Sequence, residues 1–106
     1  MFLVVIGRDK PDMTEVRART RPIHLEYMAA PHPQVRHVIG APLASDDGAV
    51  MLGTLYMLEA PDKAVAEVYA RNDPYARAGI FATLEVIAIH PAGASAFERI
   101  PPKQAG

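Results

Sequence analysis

Two separate stretches of this 106-residue chain carry side chains that together can transfer a proton. The first contains the imidazole of His24, preceded by the guanidinium groups of Arg17 and Arg21. The second contains the carboxylate of Asp73, which Pro74 follows directly. A histidine oriented by a carboxylate is a competent general base near neutral pH. If folding brings His24 and Asp73 together, the sequence predicts an oriented acid–base pair.

Each of these residues also has a simpler interpretation. A single histidine at the border of a helix is usually structural, and an aspartate before a proline, such as Asp73, is typical of a helix N-cap. The cap does not exclude an orienting role, because a carboxylate has several acceptor positions. Arg17 and Arg21 are either solvated or paired with acids, or they hold an anionic substrate in a two-pronged contact. Tyr75 and Tyr56 are interpreted as packing residues rather than acids, and Tyr75 is kept as a candidate substrate contact.

Hydrophobic patterning predicts the elements that must position these residues. Strands are expected over residues 2–7, 35–43, 49–58 and 80–89, and helices over residues 12–30 and 61–70. A short helical turn starts at Asp73 and ends at Gly79. Asp12 and Glu15 have the spacing of a capping box at the start of the first helix. Pro22 inside that helix predicts a kink or a fresh helical start.

The first helix has two stripes when its residues are placed at about 100° per residue. The mostly apolar stripe, expected to face the core, contains Met13, Val16, Thr20, Ile23 and Tyr27. The adjoining border stripe contains Arg17, Arg21, His24 and Met28. His24 is therefore expected at the boundary between core and solvent.

The order β-α-β-β-α-β predicts an α+β, ferredoxin-like fold, with an antiparallel sheet and both helices on one face. The strands are apolar on both of their faces, as the run Phe2–Ile6 shows. Two helices cover only one face of a sheet, and soluble monomers rarely expose a large apolar patch. A homodimer packed sheet against sheet is the expected arrangement.

Composition excludes several classes of function. The net charge of −1 argues against a nucleic-acid partner, and the absence of cysteine excludes disulfides and thiolate chemistry. The absence of cysteine also favours a cytoplasmic location. The apolar start is too short for a membrane span or a signal core, so no membrane partner is expected. The four histidines lack metal-ligand spacing and no glycine-rich phosphate loop occurs, so no metal and no cofactor is predicted.

Four stretches in their order resemble the YCII-related (YciI-like) proteins. They are Arg-x-x-x-Arg-Pro-x-His-Leu at 17–25, Gly-Ala-Pro-Leu at 40–43, Gly-Thr-Leu at 53–55 and Asp-Pro-Tyr at 73–75. The resemblance covers residues 2 to about 89, which predicts one domain over 1–90 and an extended tail over 91–106, anchored by Phe97 and Ile100. It implies the dimeric α+β barrel fold and a His24–Asp73 dyad in a pocket.

The resemblance also frames the hypotheses about function, since that superfamily includes a dehydrochlorinase, muconolactone isomerases and cofactor-free monooxygenases. The first is a cofactor-independent enzyme in which His24 moves a proton on a small anionic substrate and Asp73 orients it. Arg17 or Arg21 then holds the anion. The alternative is a non-catalytic small-ligand-binding or accessory module with a structural His–Asp pair. A third option is a structural subunit assembled through its tail.

Overall fold

The computed structural model describes residues 1–93 and Ala96. Its elements are β1 (Phe2–Asp9), α1 (Thr14–Ala29), β2 (Arg36–Ala44), β3 (Met51–Glu59), α2 (Lys63–Arg71), α3 (Pro74–Arg77) and β4 (Phe81–Ala88). The βαββαβ order, with α3 as a short addition, confirms the predicted ferredoxin-like α+β fold.

The four strands form one antiparallel sheet in the order β2-β3-β1-β4. On one face of β1, Leu3 and Val5 are fully buried and pair in register with Leu58 and Tyr56 of β3. Side chains of both α1 and α2 pack onto these residues and complete the core. Each Leu or Val side chain buried in this way contributes about 1.5–3 kcal/mol to folding.

The structure contradicts the predicted core stripe of α1. Ile23, expected in the core, is 58% exposed, whereas Arg17, His24 and Met28 of the border stripe are the buried residues of this helix. Arg17 and His24 can be buried because each has a charged partner on another element. The helix therefore turns a largely polar stripe inward.

The predicted capping box at the start of α1 is also wrong. Asp12 adopts a positive φ of 61°, and the N-cap is Met13, which makes no side-chain cap bond. Asp tolerates the left-handed conformation better than most residues, so Asp12 serves the turn before the helix. α1 then runs through Pro22 as one helix, without the fresh start.

The face of the sheet opposite the helices carries a continuous apolar row. Ile39, Met57, Val4 and Ile87 come from β2, β3, β1 and β4 in that order, and they are neighbours in the strand register. Ile39 and Ile87 are each close to half exposed, and Val4 and Met57 are partly exposed. This face lacks a covering layer within the described part of the chain.

The end of the described chain differs from the prediction in one detail. Pro91–Gly93 forms a single 3-10 turn where an extended tail is predicted. The proposed anchors Phe97 and Ile100 lie outside the described residues. Among residues 1–93 and Ala96, no helix has both the length and the apolar character needed to cross a bilayer.

Candidate active site

His24 and Asp73 meet through a short hydrogen bond. The distance between His24 Nδ1 and Asp73 Oδ1 is 2.7 Å. Asp73 is fully buried, and His24 is 8% exposed on the inward face of α1. Because an ionised carboxylate only accepts hydrogen bonds, Nδ1 carries the proton and donates it. The lone pair of a neutral His24 ring is therefore on Nε2.

Asp73 makes two kinds of contact with the same carboxylate oxygen. It is the N-cap of α3, and its Oδ1 accepts from the backbone N–H of Tyr75 at 3.0 Å. Pro74 occupies the first helical position, where its missing N–H leaves no donor unpaired. The cap fixes the carboxylate, and the fixed carboxylate orients the imidazole.

Tyr75 packs against this pair and also donates its backbone N–H to Asp73. Its ring stacks on the His24 ring with centroids 3.9 Å apart and planes inclined by 12°. The guanidinium carbon of Arg17 lies 4.5 Å from the centre of the Tyr75 ring. Burial raises the pKa of Tyr75, although the charges of Arg17 and Arg21 oppose this shift. Tyr75 thus fixes the plane of the imidazole while its phenol stays protonated.

Arg17 is bound to protein groups rather than exposed to a ligand. Its Nε and Nη2 donate to the two carboxylate oxygens of Asp9 at 2.8 and 2.7 Å, and Nη2 also donates to Thr54 Oγ1 at 2.9 Å. Burial alone would lower the pKa of Arg17, but the hydrogen bond and charge of Asp9 outweigh it and raise the pKa. Arg17 therefore ties β1, α1 and β3 together at the edge of the site.

Arg21, the other candidate for binding an anion, is exposed and lies one turn along α1 from Arg17. It lines the same cavity as His24. Of the two predicted arginines, Arg21 is the one whose guanidinium remains accessible at the site.

A cavity of about 130 Å³ opens beside His24. Its polar wall is formed by Arg17, Arg21, His24, His37, Thr54, Tyr56 and Tyr75. Its apolar wall is formed by Leu25, Met28, Gly40, Ala41, Pro42, Met51 and Leu55. The cavity joins the first helix to the β2–β3 pair, so residues distant in the sequence share one small volume.

Tyr56 also belongs to this site, although the sequence suggested only packing for it. It is 2% exposed, and its hydroxyl lies among the buried atoms without a hydrogen-bond partner in the described residues. Burial, followed by the charge of Asp73, raises the pKa of Tyr56. Asp9 and Thr54 were missed as well. Only the Gly53-Thr54-Leu55 motif carried a signal that could have found Thr54.

The four histidines are dispersed. His37 stacks on Tyr56 with centroids 5.8 Å apart, His32 lies edge-on to Tyr69, and His90 accepts from the N–H of Ala92. In the part of the chain that the structure describes, no three His, Asp or Glu side chains are grouped as metal ligands.

Two solved structures share this architecture. The 5-chloro-2-hydroxyhydroquinone dehydrochlorinase TftG of Burkholderia phenoliruptrix AC1100, in complex with 2,5-dihydroxybenzoquinone, superposes with a TM-score of 0.72 at 24% identity, over 85% of this chain and 94% of that one. An antibiotic biosynthesis monooxygenase superposes with a TM-score of 0.50 at 14% identity, over 86% of this chain and all of that one. At these identities the likeness concerns the fold.

Comparison of the sequence, unlike the comparison of folds, assigns the chain to a family. Two relatives, each named Protein YciI, from Escherichia coli O6:H1 and Shigella flexneri, are 30% identical over 91 residues, which is 81% of this chain and 93% of each relative. The model of the YCII-related domain matches residues 1–90, and this stretch includes His24, Asp73 and the whole cavity wall. The chain belongs to the YCII-related family.

Proposed function

We propose that this protein is a small cofactor-independent enzyme that transfers a proton on a small anionic substrate. The observation that carries the proposal is the 2.7 Å bond between His24 Nδ1 and Asp73 Oδ1, which leaves Nε2 as the basic atom of a residue that lines the cavity. A base held in one tautomer beside a ligand-sized space is the arrangement that general acid–base catalysis requires.

The proposed reaction starts with removal of a proton by His24 Nε2 from an enolisable or phenolic position. The electron pair left on the substrate either expels a leaving group or takes a proton back at another atom, and these outcomes correspond to a lyase or dehydrochlorinase and to an isomerase. Asp73 stabilises the imidazolium that forms. Because Asp73 is fully buried and fixed by the Tyr75 amide, this stabilisation requires little reorganisation.

The dimensions of the cavity favour a ligand with a single ring. An apolar protein cavity of roughly 150 Å³ holds benzene, and the cavity beside His24 measures about 130 Å³ before any side chain adjusts. The ring in the dehydrochlorinase complex, 2,5-dihydroxybenzoquinone, belongs to the same size class. Arg21 at the cavity wall supplies the positive charge for an anionic oxygen, which suits a phenolate, enolate or carboxylate.

The alternative is a non-catalytic module in which the pocket binds a small anion and the His24–Asp73 pair is structural. The N-cap at Asp73 favours this candidate, because capping α3 is by itself a sufficient structural reason for an aspartate at this position. The two candidates share a ligand class and differ in whether His24 is needed for turnover or for stability.

We also propose that the protein acts as a homodimer. The apolar row of Ile39, Met57, Val4 and Ile87 crosses the whole sheet on the face without helices. A second copy presents the same row and is the simplest self-complementary cover for it.

The test of the enzymatic proposal is turnover by wild type, His24→Ala and His90→Ala on a panel of enols, lactones and chlorinated hydroxyquinols. We expect wild-type turnover of at least one compound, and a loss of about 10²–10⁴-fold in His24→Ala. His90→Ala removes an exposed imidazole that does not line the cavity, and should match wild type.

Melting temperatures of the same variants separate the two candidates. If His24→Ala folds and loses turnover, the enzymatic proposal stands. If His24→Ala keeps full turnover but melts at a much lower temperature, or if wild type binds members of the panel and converts none, the binding module is the better description.

A further inference from the structure

Two buried polar atoms of the site, on residues that interact electrostatically, each lack a hydrogen bond. They are the hydroxyl oxygen of Tyr56 and Oδ2 of Asp73, neither of which has a partner among the described residues. Tyr56 is 2% exposed and Asp73 is 0% exposed, so bulk water does not solvate them. A buried carboxylate oxygen with no donor is strongly disfavoured, so such atoms normally have a partner.

The other acceptor position of Asp73 is fully used. Its Oδ1 accepts from His24 Nδ1 at 2.7 Å and from the Tyr75 amide at 3.0 Å. Any further donor must therefore come to Oδ2. The fully buried position of Asp73 restricts that donor to a side chain of the core, or to a water that a core side chain holds in place.

The neighbouring tyrosines leave a single candidate. Tyr27 donates its hydroxyl hydrogen to the carbonyl of Tyr69 at 2.8 Å, and Tyr69 donates to Met28 Sδ at 3.8 Å. The hydroxyl oxygen of Tyr75 accepts from Arg17, whose guanidinium can only donate. Of the four tyrosines that interact electrostatically with Asp73, Tyr56 is the one whose buried hydroxyl has no hydrogen-bond partner among the described residues.

We propose that Tyr56 is a positioning residue whose hydroxyl donates to Asp73 Oδ2, directly or across one water, and so completes a Tyr56–Asp73–His24 chain. A bond across one water is nearly as favourable as a direct one. The contribution of these hydrogen bonds to catalysis rests on the proposed function. Whether the bond between Tyr56 and Asp73 forms in the core can be tested without a substrate.

The hydrogen-bond series Tyr56–Asp73–His24 changes how strongly Asp73 accepts from His24. A carboxylate that accepts from a second donor accepts less strongly from the first. The Tyr56 hydroxyl therefore weakens the hydrogen bond from His24 Nδ1–H to Asp73. It also keeps the Asp73 charge compensated when His24 is neutral, which is the state that removes a proton from a substrate. Burial keeps the Tyr56 phenol protonated, so it acts as a donor throughout the working range of pH.

The first test is the proton NMR signal of His24 Nδ1–H in wild type, Tyr56→Phe and Tyr69→Phe. We expect Tyr56→Phe to move this signal downfield, because Asp73 then accepts more strongly from His24. Tyr69→Phe removes a buried hydroxyl of the same kind that already has a partner, and should leave the signal in place. A signal at the wild-type position in Tyr56→Phe overturns the proposal.

A double-mutant cycle on stability gives an independent answer where solvent exchange broadens that signal. We expect Tyr56→Phe to raise the unfolding equilibrium constant about tenfold in wild type and far less in an Asp73→Ala background. Equal losses in both backgrounds refute the Tyr56–Asp73 contact. If Asp73→Ala does not fold, Tyr56→Phe compared with Tyr69→Phe supplies the answer, because Tyr69→Phe removes only a weak bond to sulfur. A larger loss of stability in Tyr56→Phe supports the contact, and an equal or smaller loss contradicts it.

These outcomes remain distinct from those of the proposed function. A wild type that converts no substrate removes the enzymatic role and leaves both measurements on Tyr56 valid. An unmoved signal together with additive stabilities removes the role of Tyr56, while His24 remains a candidate base. If both proposals hold, Tyr56→Phe lowers kcat by a larger factor than it changes KM.

Discussion

At the scale of single residues, the site depends on one buried carboxylate that serves several donors. Asp73 accepts from a side chain of α1 and from the first turn of its own helix α3. A fully buried charge is tolerated only when it is paired and hydrogen-bonded. The bond between His24 and Asp73 is therefore as important for the stability of the site as for its chemistry.

The two arginines of α1 that line the cavity, Arg17 and Arg21, are predicted to respond differently to substitution. Arg21→Gln should weaken binding of 2,5-dihydroxybenzoquinone by about tenfold, the loss of one exposed charge contact, with an unchanged melting temperature. Isothermal titration calorimetry on Arg21→Gln checks this, with Arg19→Gln on the exposed face as the matched control.

Arg17→Gln should instead destabilise the fold by about 3–5 kcal/mol, because it leaves Asp9 buried and unpaired. Urea unfolding measures this difference. Equal stability of Arg17→Gln and Arg21→Gln would contradict the division of roles between a structural and a ligand-binding arginine.

The residues of the site could be predicted only where the signal was local. The Asp-Pro pair indicates a cap from two adjacent residues, and the structure has that cap at Asp73. The partners of Arg17 could not be predicted, because Asp9 precedes α1 and Thr54 lies on β3. Tyr56 was interpreted as packing since a tyrosine among apolar residues gives no sign of where its hydroxyl points.

At the scale of elements, α1 shows why apolar periodicity can select the wrong face of a helix. An interpretation from apolar periodicity assumes that apolar side chains are buried and polar ones exposed, and it therefore predicted Ile23 in the core. The cost of burying Arg17 and His24 is offset by acidic partners at the end of β1 and at the N-cap of α3. The sequence of α1 alone gives no information about these partners. The element boundaries, set by turn and cap residues, were predicted to within two residues.

The strands beneath the site support it through a close contact at Gly7. A Cβ atom at this position would lie 2.7 Å from the Phe81 ring, which is edge-on to Tyr75, which in turn stacks on His24. Gly7→Ala should therefore displace Phe81 and destabilise the protein by about 1–3 kcal/mol. It should also lower turnover by disturbing the Tyr75–His24 stack.

Urea unfolding of Gly7→Ala beside Gly93→Ala checks this prediction. At Gly93 the nearest atom to an added Cβ is 4.0 Å away, so that variant should keep wild-type stability. If both alanine variants unfold at the same urea concentration as wild type, Phe81 has room to adjust and the proposed support of Tyr75 by β1 and β4 is wrong.

At the scale of the whole molecule, the two faces of the sheet have different environments although their sequences are similarly apolar. Strands that are apolar on both sides predicted a second covering layer, and the structure identifies which face needs it. The register aligns Ile39, Met57, Val4 and Ile87 as one row, a detail that requires the pairing of four strands. The sequence alone could not supply that alignment, because a shift of one residue would reverse both faces.

This row leads to the prediction about assembly. Met57 lies in the row on the central strand β3, so Met57→Glu places a carboxylate on the face of every copy, where a sheet-to-sheet dimer would bury it. We expect wild type to sediment as a dimer and Met57→Glu as a folded monomer. Val68→Glu is the matched control, because Val68 is an apolar residue 50% exposed on the outer side of α2, and it should remain dimeric. A wild type that sediments as a monomer contradicts the proposal, and so does dissociation caused equally by both substitutions, since the interface would then not follow the apolar row.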